Sequence, residues 1–211
     1  MNGFQKAIKF LFDRIVALLG LLLLGWLLLI IAIIVKIKMP DGPVLFTQIR
    51  VGRKGKLFKI HKFRTMSNKQ QLYTIAYPNK DQVTPIGAKL RHYKIDELPE
   101  FWDVLVGNMS FVGPRPDVPG YADKLEGEDR IILEMRPGIT GPATLKYRNE
   151  EKIIEDYVHQ QKAAGDPRSE DDLALWYNDK VIYPDKVKIN KAYYLNYSFF
   201  KDIKMLFETV F

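Results

Sequence analysis

Residues 15–35 read IVALLGLLLLGWLLLIIAIIV, 21 positions without a charge. As a helix rising about 1.5 Å per residue, the run is about 31 Å long, which matches the hydrocarbon core of a bilayer. A secretory signal would be shorter and would end at a small-residue cleavage site. Here the run passes instead into KIKMPDGP, residues 36–43. The stretch is therefore read as a retained membrane anchor, and it decides the architecture: the remainder is a body attached to a bilayer.

Working outward, Lys6, Lys9 and Arg14 precede the run, and Lys36, Lys38, Arg50, Arg53 and Lys54 follow it. Basic residues stay on the cytoplasmic side. The heavier C-terminal flank places the main domain in the cytoplasm. The basic N-terminal flank suits a helix that enters and turns back, with Gly25 as the bend, and a simple span is the alternative. The expected organisation is an anchor helix over 1–38 and a cytoplasmic, membrane-associated domain over 39–211. The C-terminal SFFKDIKMLFETVF, residues 198–211, sets Phe199, Ile203, Leu206, Phe207 and Val210 at helical spacing. This amphipathic helix lies either in the membrane interface or on the core.

The rest of the composition narrows the chemistry. With 32 basic and 25 acidic residues among 211, the net charge is +7, which favours anionic partners. There is no Cys, so thiol catalysis, zinc thiolates and disulfides are excluded. The three histidines, His61, His92 and His159, stand at no metal-ligand spacing.

Residues 44–66 read as two strands around a turn at RKGK, and residues 67–85 as a polar loop. A short helix is expected over 86–93. A second begins at Glu97, with Leu98, Phe101, Trp102 and Leu105 on one face, Asp96 at its N-cap and Gly107 as its stop. FVGPRP (111–116) and RPGITGP (136–142) pair an arginine with stiff or tightly turning backbone. Residues 148–190 are charged and helical in pattern. The fold class is α+β, mostly helical, with a β-hairpin and interfacial amphipathic helices on a membrane helix that is re-entrant or spanning.

The candidate chemistry centres on YKIDELPEF, residues 93–101. Asp96 has two readings: a helix cap, or an ionised carboxylate that attacks phosphorus or holds Mg²⁺. A helix start would favour its ionised form. An anion attacking a phosphate needs cations nearby, and Arg91, Arg115 and Arg136 are candidates suited to phosphate oxygens. Glu97 is a first-turn acid or a helper that shares the metal or moves a proton. No Asp-x-Asp, G-x-S-x-G or H-E-x-x-H occurs.

KFRTM, IDELPEFWDVLVGNMSFVGPRP and RPGITG, in this order behind a basic-flanked membrane helix, strongly resemble the bacterial sugar transferases, the monotopic phosphoglycosyl transferases. The resemblance implies transfer of a sugar-1-phosphate from a UDP-sugar to a polyprenyl phosphate such as undecaprenyl phosphate. It implies Mg²⁺ as cofactor and release of UMP, as the first membrane step of glycoconjugate assembly. It puts the family's Asp-Glu dyad on Asp96 and Glu97, as nucleophile and assistant and as metal-binding pair. Its substrate-binding cations fall on Arg91, Arg115 and Arg136, with Lys62 and Arg64 in the KFRTM element. The implied partners are donor, acceptor and bilayer, no nucleic acid, with room for a homo-oligomer. The chain departs from the family pattern at Gly25-Trp26, where Ser-Pro is common, at Asn108 where Asp is common, and after residue 141. A non-catalytic membrane-anchored subunit and a direct Mg²⁺-dependent glycosyl transferase are the competing readings.

Overall fold

A computed structural model describes residues 1–67 and 82–210. The polar loop expected over 67–85 falls, apart from its ends, outside the described residues. The first helix, α1, runs over Gly3–Lys38 without interruption, through Gly25-Trp26. Its start is fixed by a reciprocal cap: Asn2 Oδ1 accepts from the Gln5 N–H, and the Asn2 N–H donates to Gln5 Oε1.

One stripe of α1 is docked along most of its length. Lys9, Asp13, Ala17, Ile31 and Val35 are buried, at the three- and four-residue spacing of a single helix face. Near its beginning, Ala17 and Val16 pack with Val104, Phe101 and Phe111. Gly20 lies so close to the Phe101 ring that a Cβ there would come within 2.6 Å. Near its end, Ile31, Val35 and Met39 pack with Phe63, Leu90 and Leu98. Leu19, Leu22, Leu23, Trp26, Leu29 and Ile33 on the other side are exposed.

The hairpin pairs β1 (Leu45–Val51) with β2 (Leu57–Phe63), in a register that sets Phe46 opposite Lys62 and Arg50 opposite Phe58. The turn between them, Arg53–Gly55, is the expected one, with Lys54 (φ 59°) and Gly55 (φ 76°) in the left-handed region. Next come α2 (Pro85–His92), a 3₁₀ turn at Ile95–Glu97, and α3 (Glu100–Val106). The two Pro/Gly-rich elements, read as stiff turns from sequence, also make a second sheet: β3 (Ser110–Val112) pairs in parallel with β4 (Gly138–Thr140). Gly113 and Gly138 permit this approach, since a Cβ on Gly138 would overlap the backbone of Gly113.

The C-terminal part is helical, as its charged pattern suggests. It comprises α4 (Pro142–Lys146), α5 (Glu150–Ala163), α6 (Glu170–Tyr177), a π-turn at Asn178–Ile182, α7 (Tyr183–Leu195) and α8 (Phe199–Val210). The aromatic island at Trp176 and Tyr177 stacks on Tyr157. α8 packs on the core, as one of the two readings expects, and leaves an apolar side exposed. Asp202 and Met205 are buried against the body, while Phe200 and Phe207 are 84% and 62% exposed. Phe207, expected on the same face as Leu206, therefore points away from the body.

Candidate active site

The dyad does not sit at a helix cap. α2 ends at Tyr93, Lys94 takes a left-handed conformation (φ 55°), and the chain then winds as a 3₁₀ turn through Asp96 and Glu97. Pro99 has no N–H to give to Ile95, so three-residue bonds hold this stretch: Leu98 N to Ile95 O, and Trp102 N to Pro99 O. The α-helical pattern begins only at Glu100, and Asp96 caps nothing. Its side chain is left for other work.

Asp96, Glu97 and Glu100 are all buried, Glu100 to 1% exposure. They are unequal in their partners. Glu97 Oε1 accepts from Lys62 Nζ at 2.6 Å and from Arg115 Nη2 at 2.5 Å. Lys62 Nζ also lies 3.1 Å from Glu100 Oε1. Asp96 Oδ1 is buried with no hydrogen-bond partner among the described residues. Burial alone would raise the Glu97 carboxyl, but Arg115 and Lys62 hold it well below the usual carboxylate range. Burial and the Glu97 charge raise Asp96, opposed by Lys62, Lys94 and Arg91. The expectation that a helix end keeps Asp96 ionised is thus replaced: Glu97 is the firmly ionised member, because the cations converge on it.

β2 supplies Lys62, and its neighbour anchors the strand. The His61 backbone N–H donates to Asp103 Oδ2 at 2.9 Å, and His61 Nδ1 lies 2.8 Å from Asp103 Oδ1. Arg115 comes from the Gly113-Pro114-Arg115-Pro116 segment that leaves β3. Arg91, at the end of α2, donates Nε to Thr65 Oγ1 at 2.9 Å and faces Asp96 electrostatically.

The structure brings together Asp96, Glu97, Lys62, Arg91 and Arg115. Two other arginines named from sequence are held elsewhere, each at a helix C-terminus, where exposed carbonyls attract cations. Arg64 donates to the Met39 carbonyl that ends α1 and pairs with Asp41. Arg136 donates Nε to the Gly107 carbonyl at 2.9 Å, at the opposite end of α3 from the dyad. Two residues that sequence reading left out belong near the site. Glu100 stands three and four positions after the dyad, a spacing that signals a shared helical side. Arg50, taken only as a flanking charge, bonds Pro116 O at 3.1 Å and lies near Arg115 and Glu97.

No group of three or more metal-binding side chains is assembled among the described residues. The donors present still fit Mg²⁺ in its usual manner, which takes one or two carboxylates and completes its shell with phosphates and water. The partnerless oxygen of Asp96 is the feature that fits.

Residues 4–211 match the family described as bacterial sugar transferase. The chain is 35% identical over 203 residues to a UDP-glucose:undecaprenyl-phosphate glucose-1-phosphate transferase of Escherichia coli (strain K12), covering 92% of the chain and 43% of that protein. It is 31% identical over 205 residues to a UDP-N-acetylgalactosamine-undecaprenyl-phosphate N-acetylgalactosaminephosphotransferase of Aeromonas hydrophila, covering 94% and 41%. A UDP-glucose:undecaprenyl-phosphate glucose-1-phosphate transferase of Caulobacter vibrioides is 34% identical over 194 residues, covering 88% and 72%. The chain spans less than half the length of the first two.

Proposed function

Because the chain belongs to the bacterial sugar transferase family, we propose that it moves a sugar-1-phosphate from a UDP-sugar to a polyprenyl phosphate through Asp96. The names of its relatives support both substrate classes. The observation that carries the residue assignment is the division of labour within the dyad. Glu97 is committed to Lys62 and Arg115, whereas Asp96 keeps a buried, partnerless oxygen.

In the first step an Asp96 oxygen attacks the phosphorus that bears the sugar. The bond from that phosphorus to the bridging oxygen breaks, and UMP departs with the bridging oxygen. The product is a mixed anhydride of Asp96 and the sugar phosphate. In the second step a phosphate oxygen of the polyprenyl acceptor attacks the same phosphorus. The Asp96 carboxylate leaves, and a lipid-linked diphosphate sugar results. Arg115, Lys62 and Arg91 bind and orient the phosphates and offset the repulsion between anions. Glu97 sets the positions of Lys62 and Arg115. Asp96, with Glu97 beside it, would hold Mg²⁺, and the ion would supply positive charge against the developing negative charge. The body works on the cytoplasmic face of the plasma membrane, where it begins assembly of a surface glycan.

The test is UMP release by the full chain in mild detergent, with undecaprenyl phosphate and a panel of UDP-sugars. Asp96→Asn should lower release by about three orders of magnitude or more, the scale of losing a nucleophile. Labelled sugar phosphate should accumulate on Asp96 when the acceptor is withheld. Normal turnover by the variant, an adduct on another residue, or UDP as the product would overturn the assignment.

A further inference from the structure

Two guanidinium groups share one aromatic ring at the beginning of the membrane helix. Arg14 Cζ lies 3.8 Å and Arg136 Cζ 4.5 Å from the centre of the Phe10 ring. Phe10 and Arg14 are one helical turn apart on α1, so they overlie each other. Arg136 reaches in from the turn before β4, tied by Nε to the Gly107 carbonyl. Gly107 ends α3 with φ 103°, and a Cβ there would come within 2.6 Å of Arg14 Nη2. Glycine leaves the space that the second guanidinium fills.

Neither arginine makes an ion pair among the described residues, and the nearby carboxylates are engaged. Asp13 accepts from the Phe111 N–H at 3.3 Å, and Asp202 pairs with Lys9 at 2.5 Å. Arg14 Nη1 and Nη2 are buried with no hydrogen-bond partner among the described residues. Burial and the like charge of Arg136 disfavour the Arg14 cation, burial and Arg53 disfavour that of Arg136, and the Asp13 charge opposes both effects. Asp13 makes no ion pair with either guanidinium, so the buried donors still lack acceptors, and a further anion between the two cations would supply them. Two guanidinium forks match the oxygens of a phosphate.

The position says which phosphate. Arg14 is the last charge before the 21-residue uncharged run. Phe10, Leu11, Ile15 and Leu18 around it are exposed apolar residues. A basic group at that boundary lies at headgroup depth. The dyad precedes α3, and Gly107 follows it, so a phosphate held here is not the one attacked by Asp96. We propose that Arg14 and Arg136 bind the phosphate of an anionic membrane phospholipid, which enters by displacing the half-exposed Phe10 ring. The site stands whether or not Asp96 is the nucleophile.

The full chain in non-ionic detergent provides the test. Phosphatidylglycerol, phosphatidylcholine, undecaprenyl phosphate or inorganic phosphate is added, and the melting temperature and lipids retained in native mass spectrometry are recorded. Phosphatidylglycerol should raise the melting temperature by several degrees and be retained, and phosphatidylcholine should do neither. Arg14→Gln should stay folded without lipid and should lose most of the phosphatidylglycerol increment, measured from its own lipid-free melting temperature. Arg14→Lys should keep part of it. Equal effects of the two phospholipids on the unaltered chain overturn the proposal without need of any variant. So does a full increment in Arg14→Gln, or an increment given only by undecaprenyl phosphate or by inorganic phosphate.

Discussion

At the scale of single residues, Glu100 is a carboxyl whose proton the fold retains. Burial, with the nearby Glu97 charge and against the pull of Lys62, leaves its carboxyl pushed up to about 7 from an ordinary 4.5. Between those values the folded chain holds a proton that the unfolded chain has released. This contribution to stability is therefore greatest at low pH and is lost as pH rises towards 7, by on the order of 1–3 kcal/mol. Glu100→Gln keeps the uncharged form at every pH. It should flatten this part of the profile and raise stability at pH 8 by a similar amount, read as urea midpoints in mild detergent at pH 5 and pH 8. An unchanged slope between the two pH values would show that Glu100 is not the group responsible. Residue types made part of this site legible in advance: an acidic pair followed by Arg115 on rigid backbone suggests anion chemistry. What sequence did not disclose was the allocation of cations. Arg64 shares the KFRTM motif with Lys62, and Arg136 stands on stiff Pro/Gly backbone as Arg115 does, but α1 and α3 end beside them and their terminal carbonyls take the guanidinium groups. That outcome depends on where two distant helices stop.

At the scale of elements, the join between α1 and α8 rests on a buried charge. Asp202 accepts from Lys9, Tyr193 and Tyr197, and both Lys9 and Asp202 are buried. Removing one partner strands the other charge. Asp202→Leu should therefore cost about 3–5 kcal/mol and loosen α8 towards protease, whereas adding Lys9→Met should recover part of the loss, the Tyr193 and Tyr197 hydroxyls still lacking their acceptor. Thermal melts of the two single variants and the double variant measure this, and additive losses would remove the coupling. The same contact explains why α8 was only half readable. Hydrophobic periodicity located the helix and its apolar stripe, but the docked face carries an aspartate whose partner is 193 positions away. Local patterns cannot show such a pair. The hairpin was legible because seven-residue strands flank a turn with Gly at a positive φ. The β3–β4 pair was not, because three-residue parallel strands have no periodicity to detect.

For the whole molecule, the question raised by the apolar run is whether α1 crosses the bilayer. Its composition and length allow a span. Its docking argues against one. The Met1 amino group donates to Tyr194 O, and Lys9 pairs with Asp202, so the N-terminal end is fastened to the C-terminal helices. At the other end Arg64 holds the Met39 carbonyl, and Ile31 and Val35 pack with Phe63 and Leu90. A 36-residue helix extends about 54 Å, more than the bilayer core, yet both of its ends rest on the same body. A spanning arrangement would have to undo one set of these contacts or draw charged body residues into lipid, which is far costlier than leaving the helix partly embedded with its exposed apolar side in the membrane. Basic flanks at both ends agree, since neither needs to cross. The chain has no Cys, so single cysteines report position cleanly. Gly3→Cys, at a site with open space around it, and Asp41→Cys should both resist a membrane-impermeant maleimide in intact cells. Both should react once the cells are permeabilised. Labelling of Gly3→Cys from outside, with Asp41→Cys still protected, would establish a span and require the N-terminal contacts of α1 to be broken in the membrane.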